Sequence, residues 1–443
     1  MMRTTMLNYI SQRVGAWQFR GSRYHPCRTM KGIITIGLMT IAAAVQAAPH
    51  YQVLTSTKRD INMESWQLTS SEFPGYKGKA RWSINKRTLH GGKQEGVGLI
   101  EVDNGELQFR VIPTRGMSVL DVTMGDVRLG WNSPVKEVVH PSYVNLHDRG
   151  GLGWLDGFNE WMVRCGLSFA GHPGEDKFIN NVGAEATMDL TLHGKIGNIP
   201  ASEVVVVVDK KAPHRIRIRG RVNEVSFYGP NLSIWTEIST VPGSNEFRIS
   251  DELTNNGTFD EEFQIIYHAN FGRPLLGKGA RMLTASTKIV PFNYNAAKAI
   301  DKQEVYPAPT KGFTEEVYKI YPKADKVGNA TAVLVNPKGD RGVTMSWPVK
   351  QLPFLTQWKN TAAETTGYVT GIEPGTGFPH NRNYERKFGR VPKLAPGKTR
   401  SFDLDFRILG SKSEVESAVG DVKKLQGTTG PEIQKEPEAL PEE

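Results

Sequence analysis

HRIRIRGRVNEVSFYGPNLSIWTEISTVPGSNEFRISDELTN, residues 214–255, decides the fold class. Isoleucines 216 and 218 alternate with arginines 215, 217 and 219, a period of two that places one set of side chains on each face of an extended strand. The same alternation runs through LSIWTEISTV (232–241) and NEFRISDELTN (245–255). YGPN and VPGSN separate the three runs, and Gly, Pro, Asn and Ser at such positions mark tight turns. Three strands joined by short turns form an antiparallel meander. The arginines of the first run alternate with apolar residues, so they read as one polar strand face and not as a phosphate-tracking patch, which needs clustered Lys and Arg.

The pattern extends in both directions. GELQFRVIP alternates Leu107, Phe109 and Val111 with Glu106, Gln108 and Arg110. MSVLDVTMGDVRLGW reads as two strands joined at Gly125-Asp126. ATMDLTLHG, SEVVVVVDKK, TAVLVNP, GVTMSW, TGYVTGIEP and TRSFDLDFRIL follow the same rule. Only 411–426 has helical spacing, with Val415, Val419, Val422 and Leu425 on one face and Gly427 as a stop. Well over a dozen strands and one short helix predict an all-β protein of two large packed antiparallel sheets. Residues 131–180 show no period, and their Gly, Trp, His, Asp and Asn content reads as long functional loops. The Pro/Glu-rich tail GTTGPEIQKEPEALPEE reads as disordered.

The chain has 443 residues, 55 Lys and Arg, 46 Asp and Glu, and a net charge of +9. Arg3, Arg13, Arg20, Arg23, Arg28 and Lys31 lie in residues 1–47, which hold no acid. Without them 49 basic residues face 46 acidic ones, and the case for a nucleic-acid partner disappears. MKGIITIGLMTIAAAVQAAPH, starting at Met30, has the charge, apolar stretch and small-x-small site of an export signal cleaved near Ala47. The stretch is too short for a typical membrane span. The expected organisation is an extension plus signal over 1–47, a β domain over 48–410, and a helix with an acidic tail over 411–443. The expected location is the periplasm or outside the cell, without stable membrane insertion. Cys27 and Cys165 are the only cysteines, too few for a disulfide scaffold, and Cys165 reads as a small buried apolar residue.

Three polar residues sit where strands meet turns: His193 before Gly194, His268 in FQIIYHANFG, and Glu373 before Pro374-Gly375. An imidazole titrates at about 6.5 and can give or take a proton near neutrality; a shielded carboxylate can act as a base. Trp131, Trp154, Trp161, Trp235, Trp347 and Trp358 could stack on sugar faces or fill the core. Each polar residue also has a plain structural reading: His193 as a turn residue, His268 as a satisfied core histidine, Glu373 as an acceptor of turn amides.

A family resemblance tips the balance. LSIWTEISTVPGSNEFRISDELTNNGTFDEEFQIIYHANFG (232–272) resembles the central stretch of aldose 1-epimerases, the galactose mutarotases, with LTNNG and YHANFG in matching order and spacing. LHG (192–194) resembles the family's earlier histidine motif, GIEPGTGFPHN (371–381) its glutamate motif, and LAPGKTRSFDLDF (394–406) its closing strand. CGL…LHGKIGNIPA is closer still to a poorly characterised bacterial branch of aldose 1-epimerase-like proteins. The resemblance covers roughly 100–410. It implies a galactose-mutarotase-like β-supersandwich that binds a small carbohydrate and needs no cofactor or metal. It implies Glu373 as the base that takes the anomeric hydroxyl proton, His268 as the acid that protonates the ring oxygen, and His193 as a substrate-orienting donor.

Two departures stand out. The family's G-R-x-x-N-R arginine is missing, and Arg164 and Arg115 replace it by position only, as expected substrate-binding residues. Residues 140–176 add His140, His147, Asp148, His172, Glu175 and Asp176, a conceivable metal site at spacings that match no metal motif; the other readings are surface polar groups, or loops that lengthen the cleft. The leading reading is an exported sugar isomerase of the aldose 1-epimerase type. A lyase or hydrolase acting on an oligosaccharide or modified glycoside, and a non-catalytic carbohydrate-binding protein, are the alternatives on the same fold. Oligomeric state has no signature in the sequence.

Overall fold

The computed structural model describes residues 49–440; the expected signal segment and Cys27 lie outside them. The meander forms as the alternation predicts, as strands Ile216–Val225, Asn231–Thr240 and Glu246–Asn255, antiparallel and in continuous register. Ile218 stands opposite Ile238 and Ile238 opposite Ile249, all fully buried. On the other face Glu237 lies between Arg217 and Arg219 at 3.4 and 3.3 Å. Exposed pairs of this kind contribute at most about 1 kcal/mol, so the apolar face drives the folding of this meander.

These strands sit in a ten-stranded sheet that packs against a thirteen-stranded one. Ile216, Ile234 and Leu253 from the first sheet and Val102, Met162, Tyr267, Leu355 and Ile372 from the second share one apolar core. In the larger sheet five strands are neighbours in the order Met162–Leu167, Gln264–Phe271, Tyr368–Gly375, Phe354–Thr361, Glu316–Pro322. Their second face does not touch the core. It packs against residues from 146–158 and 170–192, and Trp154, Phe158, Val163, Cys165, Leu192 and Ile266 form a separate apolar cluster there.

Two expectations need correction. Residues 131–180 are not all loop: Met162–Leu167 is a strand of the larger sheet. Every residue in it is buried, because both faces are covered, and a strand buried on both faces shows no polar alternation to read. Residues 428–440 are not disordered either. Glu432–Ile433 pairs in parallel with Ser286–Pro291, and Glu438 reaches Lys319 and Arg390. The low apolar content that suggested disorder is offset here by ion pairs. The helix forms over Lys412–Gln426, capped by Ser411, with Val415, Val419 and Val422 packed on Leu283 and Val333. No helix among the described residues is long and apolar enough to cross a membrane.

Candidate functional site

A cavity of about 330 Å³ opens on the second face of the larger sheet, within the range of small-ligand pockets. Its floor comes from neighbouring strands. The register that pairs Ala269 with Ile372 sets His268 beside Glu373, and Thr356 stands directly opposite Glu373. Trp154, Leu155, Phe158 and His172, from the segments on either side of the strand Met162–Leu167, line it together with Glu315, Val317 and Trp358.

His268 Nε2 lies 3.3 Å from Glu373 Oε1. The two side chains are 5 and 2% exposed, and both line the cavity. Burial holds His268 down at about 4 and raises the Glu373 carboxyl well above the ordinary carboxylate range, with the Glu315 charge adding to the rise. Both shifts favour neutral forms, so one proton shared by the pair satisfies both groups. Beyond its contact with His268, Glu373 Oε1 has no hydrogen-bond partner in the protein, and His268 Nδ1 and Thr356 Oγ1 have none. Unpartnered buried polar atoms are costly, and all three belong to residues that line this cavity, which suits it to a polar ligand.

His193 completes the group. Its backbone is left-handed at φ 58°, followed by Gly194 at φ 71°. A Cβ on residue 194 would fall 2.2 Å from the Phe169 carbonyl oxygen, so only glycine fits. The fold holds this turn by His193 N–H donating to the Gly171 carbonyl and Nδ1–H to that of Ala170, at 2.9 and 3.0 Å. Burial, with His268 close by, keeps His193 well below its usual range. In that neutral imidazole Nε2 carries the lone pair, which is an acceptor and not the donor expected from the sequence. The His193 and His268 rings are 5.2 Å apart, and His268 also packs against Trp154, Phe158 and Trp358 at 6.2, 5.4 and 5.5 Å.

The two arginines are elsewhere. Arg164 lies between Val163 and Cys165, whose side chains face the cavity cluster, so the period of two turns it into the inter-sheet core. There its guanidinium forks onto Asp251, with Nη2 3.0 Å from Oδ1, and Tyr267 donates to the same carboxylate at 2.7 Å. Arg115, equally buried, pairs with Glu160 at 2.7 Å and Asn198 at 2.9 Å. Neither lines the cavity. Both bind structural carboxylates.

In the 140–176 block, His172 lines the cavity while Asp176 is taken up by Arg382 and Arg386. Among the described residues no three His, Cys, Asp or Glu converge on a possible metal position. Phe158, Glu315 and Thr356 belong to the site and carried no sequence motif. Their placement follows from strand register and loop path. Of the six tryptophans weighed as sugar-stacking or core residues, Trp154 and Trp358 line the cavity, and Trp161 and Trp347 fill the core.

The domain of unknown function DUF4432 matches residues 94–408. A solved structure from Klebsiella pneumoniae, described as a candidate aldose 1-epimerase, is 42% identical, covering 88% of this chain and 99% of its own, with a TM-score of 0.83. The chain belongs to the DUF4432 family. Its fold is of the aldose 1-epimerase, galactose-mutarotase-like type. A galactose mutarotase-like protein of Clostridium acetobutylicum is 13% identical, covering 73% of this chain and 98% of its own, with a TM-score of 0.49. A candidate aldose 1-epimerase of Escherichia coli K12 is also 13% identical, covering 71 and 99%, with a TM-score of 0.47. No protein of curated function matches the chain in sequence. The cavity of this DUF4432 protein draws His193, His268 and Glu373 from segments that carried the family resemblance, 192–194, 232–272 and 371–381, and the rest of its lining mainly from 152–173 and from Glu315, Val317, Thr356 and Trp358.

Proposed function

We propose that this DUF4432 protein interconverts the anomers of a sugar, with Glu373 and His268 as its proton-transfer pair. The contact between His268 Nε2 and Glu373 Oε1 carries this reading. Opening a pyranose takes a proton from the anomeric hydroxyl and gives one to the ring oxygen, and both oxygens are bonded to the same carbon. The acid and the base must therefore sit side by side at one edge of the sugar, as these two groups do. The proton shared by the pair passes to His268 Nε2; the Glu373 carboxylate so freed, its basicity raised by burial, takes the hydroxyl proton while His268 gives its own to the ring oxygen, which returns the pair to one proton. The C1–C2 bond rotates in the open form, and the reverse transfers close the other anomer. His193 Nε2 accepts a hydrogen bond from a neighbouring hydroxyl, and Trp154 and Trp358 offer flat apolar faces to the ring. The leader-like segment 30–47 supports an exported protein that handles sugar at the cell envelope.

The test is the rate at which a freshly dissolved pure anomer relaxes, followed by NMR or polarimetry across common aldoses. His268→Ala is expected to slow the catalysed rate about 10²–10⁴-fold. Relaxation of every aldose at its uncatalysed rate with the parent protein would sink the proposal. New reducing ends on oligosaccharides would point to a hydrolase instead, and an unsaturated product to a lyase.

Gly371 gives a second test. A Cβ there would lie 2.1 Å from Glu373 Oε1 and 3.1 Å from its Cδ. Gly371→Ala must therefore push the carboxylate aside by about 1 Å, a misplacement that costs on the order of 10²-fold in rate. Its circular dichroism should match the parent's. Full activity in this variant would show that Glu373 does not need its present position.

A further inference from the structure

The strand Glu316–Pro322 carries a lysine among its buried residues. Lys319 stands directly opposite Thr356, and Thr356 opposite Glu373, so the three form a row across one sheet face. Two strand spacings, about 10 Å, separate Lys319 from the catalytic pair. The Lys319 ammonium is fully buried, with the Phe378 and Tyr384 rings each 5.9 Å away.

A buried cation needs a carboxylate close by. For Lys319 it comes from far along the chain: Glu438 Oε2 lies 2.8 Å from its Nζ. Two more donors meet the same carboxylate. Arg390 Nη1 reaches Oε2 at 3.0 Å, and the Tyr321 hydroxyl donates to Oε1 at 3.2 Å. Arg390 is itself fixed by Glu385, which takes its Nε and Nη2 at 2.8 and 3.0 Å. The nest without residue 438 thus holds two cations and one carboxylate, a net positive charge shaped by three converging donors.

Glu438 differs from the groups it binds. Its side chain is 18% exposed, against 0% for Lys319 and 5% for Arg390, so its carboxylate stands between the cations and solvent. The segment that delivers it adds only the two-residue strand Glu432–Ile433 to the sheet. We infer that Lys319, Arg390 and Tyr321 form an oxyanion-binding site, for a carboxylate or a phosphate group, in which the protein's own Glu438 is an exchangeable ligand. The site adjoins the cavity: Phe378 packs on both cations, and the next residue, Pro379, lines the cavity wall.

The full-length Glu438→Ala protein tests this by thermal unfolding in sodium acetate, inorganic phosphate or sodium chloride at matched ionic strength. The variant should unfold below the parent in chloride. Acetate or phosphate should raise its midpoint saturably by about 2 °C or more at ten times the dissociation constant, with little effect on the parent. The anion that saturates at lower concentration identifies the preferred group. Lys319→Met combined with Glu438→Ala should remove the response. If Glu438→Ala folds only when acetate or phosphate is present, the inference is also supported. It fails if neither anion shifts the variant more than chloride does, if the double variant responds equally, or if no anion restores folding. The readout involves no sugar, so its failure leaves the reading of the cavity standing.

Discussion

Glu373→Gln is expected to lower catalysed anomer exchange by about 10²–10⁴-fold while yielding a folded protein that is more stable than the parent at pH 8. The amide keeps the shape of the carboxyl and cannot take the anomeric proton. The gain in stability comes from the same burial that equips the carboxylate as a base. The Glu373 carboxyl titrates well above 4.5 in the folded chain, so between those values the folded state binds more protons than the unfolded state. Its contribution is fully present below about 4.5 and is lost as pH rises through the elevated value. Glutamine has no charge to bury. The variant should therefore be more stable than the parent at pH 8, and the difference should vanish near pH 4. His268 works in the opposite sense: held at about 4 when folded, it withdraws stability as pH falls from about 6.5 to 4. Urea unfolding at pH 4, 6 and 8, beside anomer-exchange rates, separates these contributions. Unchanged exchange in Glu373→Gln would remove this residue from the chemistry, and lower stability at pH 8 would contradict the cost of burying its charge.

Arg164→Met should cost about 3–5 kcal/mol of stability and leave the KM for sugar unchanged in the fraction that folds. The guanidinium is the cation that neutralises Asp251, deep between the sheets. Its removal leaves a buried carboxylate with only the Tyr267 hydroxyl as a partner. Adding Asp251→Asn should recover part of the loss, since the neutral amide needs no counter-charge. Urea titrations of the parent, both single variants and the double variant measure the coupling. A raised KM with undiminished stability would return Arg164 to the substrate.

Much of the fold was legible because a half-exposed strand writes its period of two into the sequence. The meander over 214–255, the Gly125-Asp126 hairpin and the 412–426 helix all appear where their patterns place them. Met162–Leu167 was not legible, since both of its faces are covered and nothing polar alternates. His193, His268 and Glu373 were singled out by their position at strand ends and by motif resemblance, and the structure brings them to one cavity. Arg164 misled because nearness along the chain says nothing about which face a side chain takes. One residue of offset along a strand reverses its direction.

The amino-acid order by itself determined that this chain forms packed antiparallel sheets with one late helix, since side-chain period is a local property. Only the tertiary structure decided that His268 meets Glu373, that Arg164 meets Asp251, and that Glu438 closes a cationic nest beside the cavity. Those pairings join residues 105, 87 and 119 positions apart. They depend on strand register and on which face of the sheet each residue occupies, quantities that only the pairing of distant strands creates.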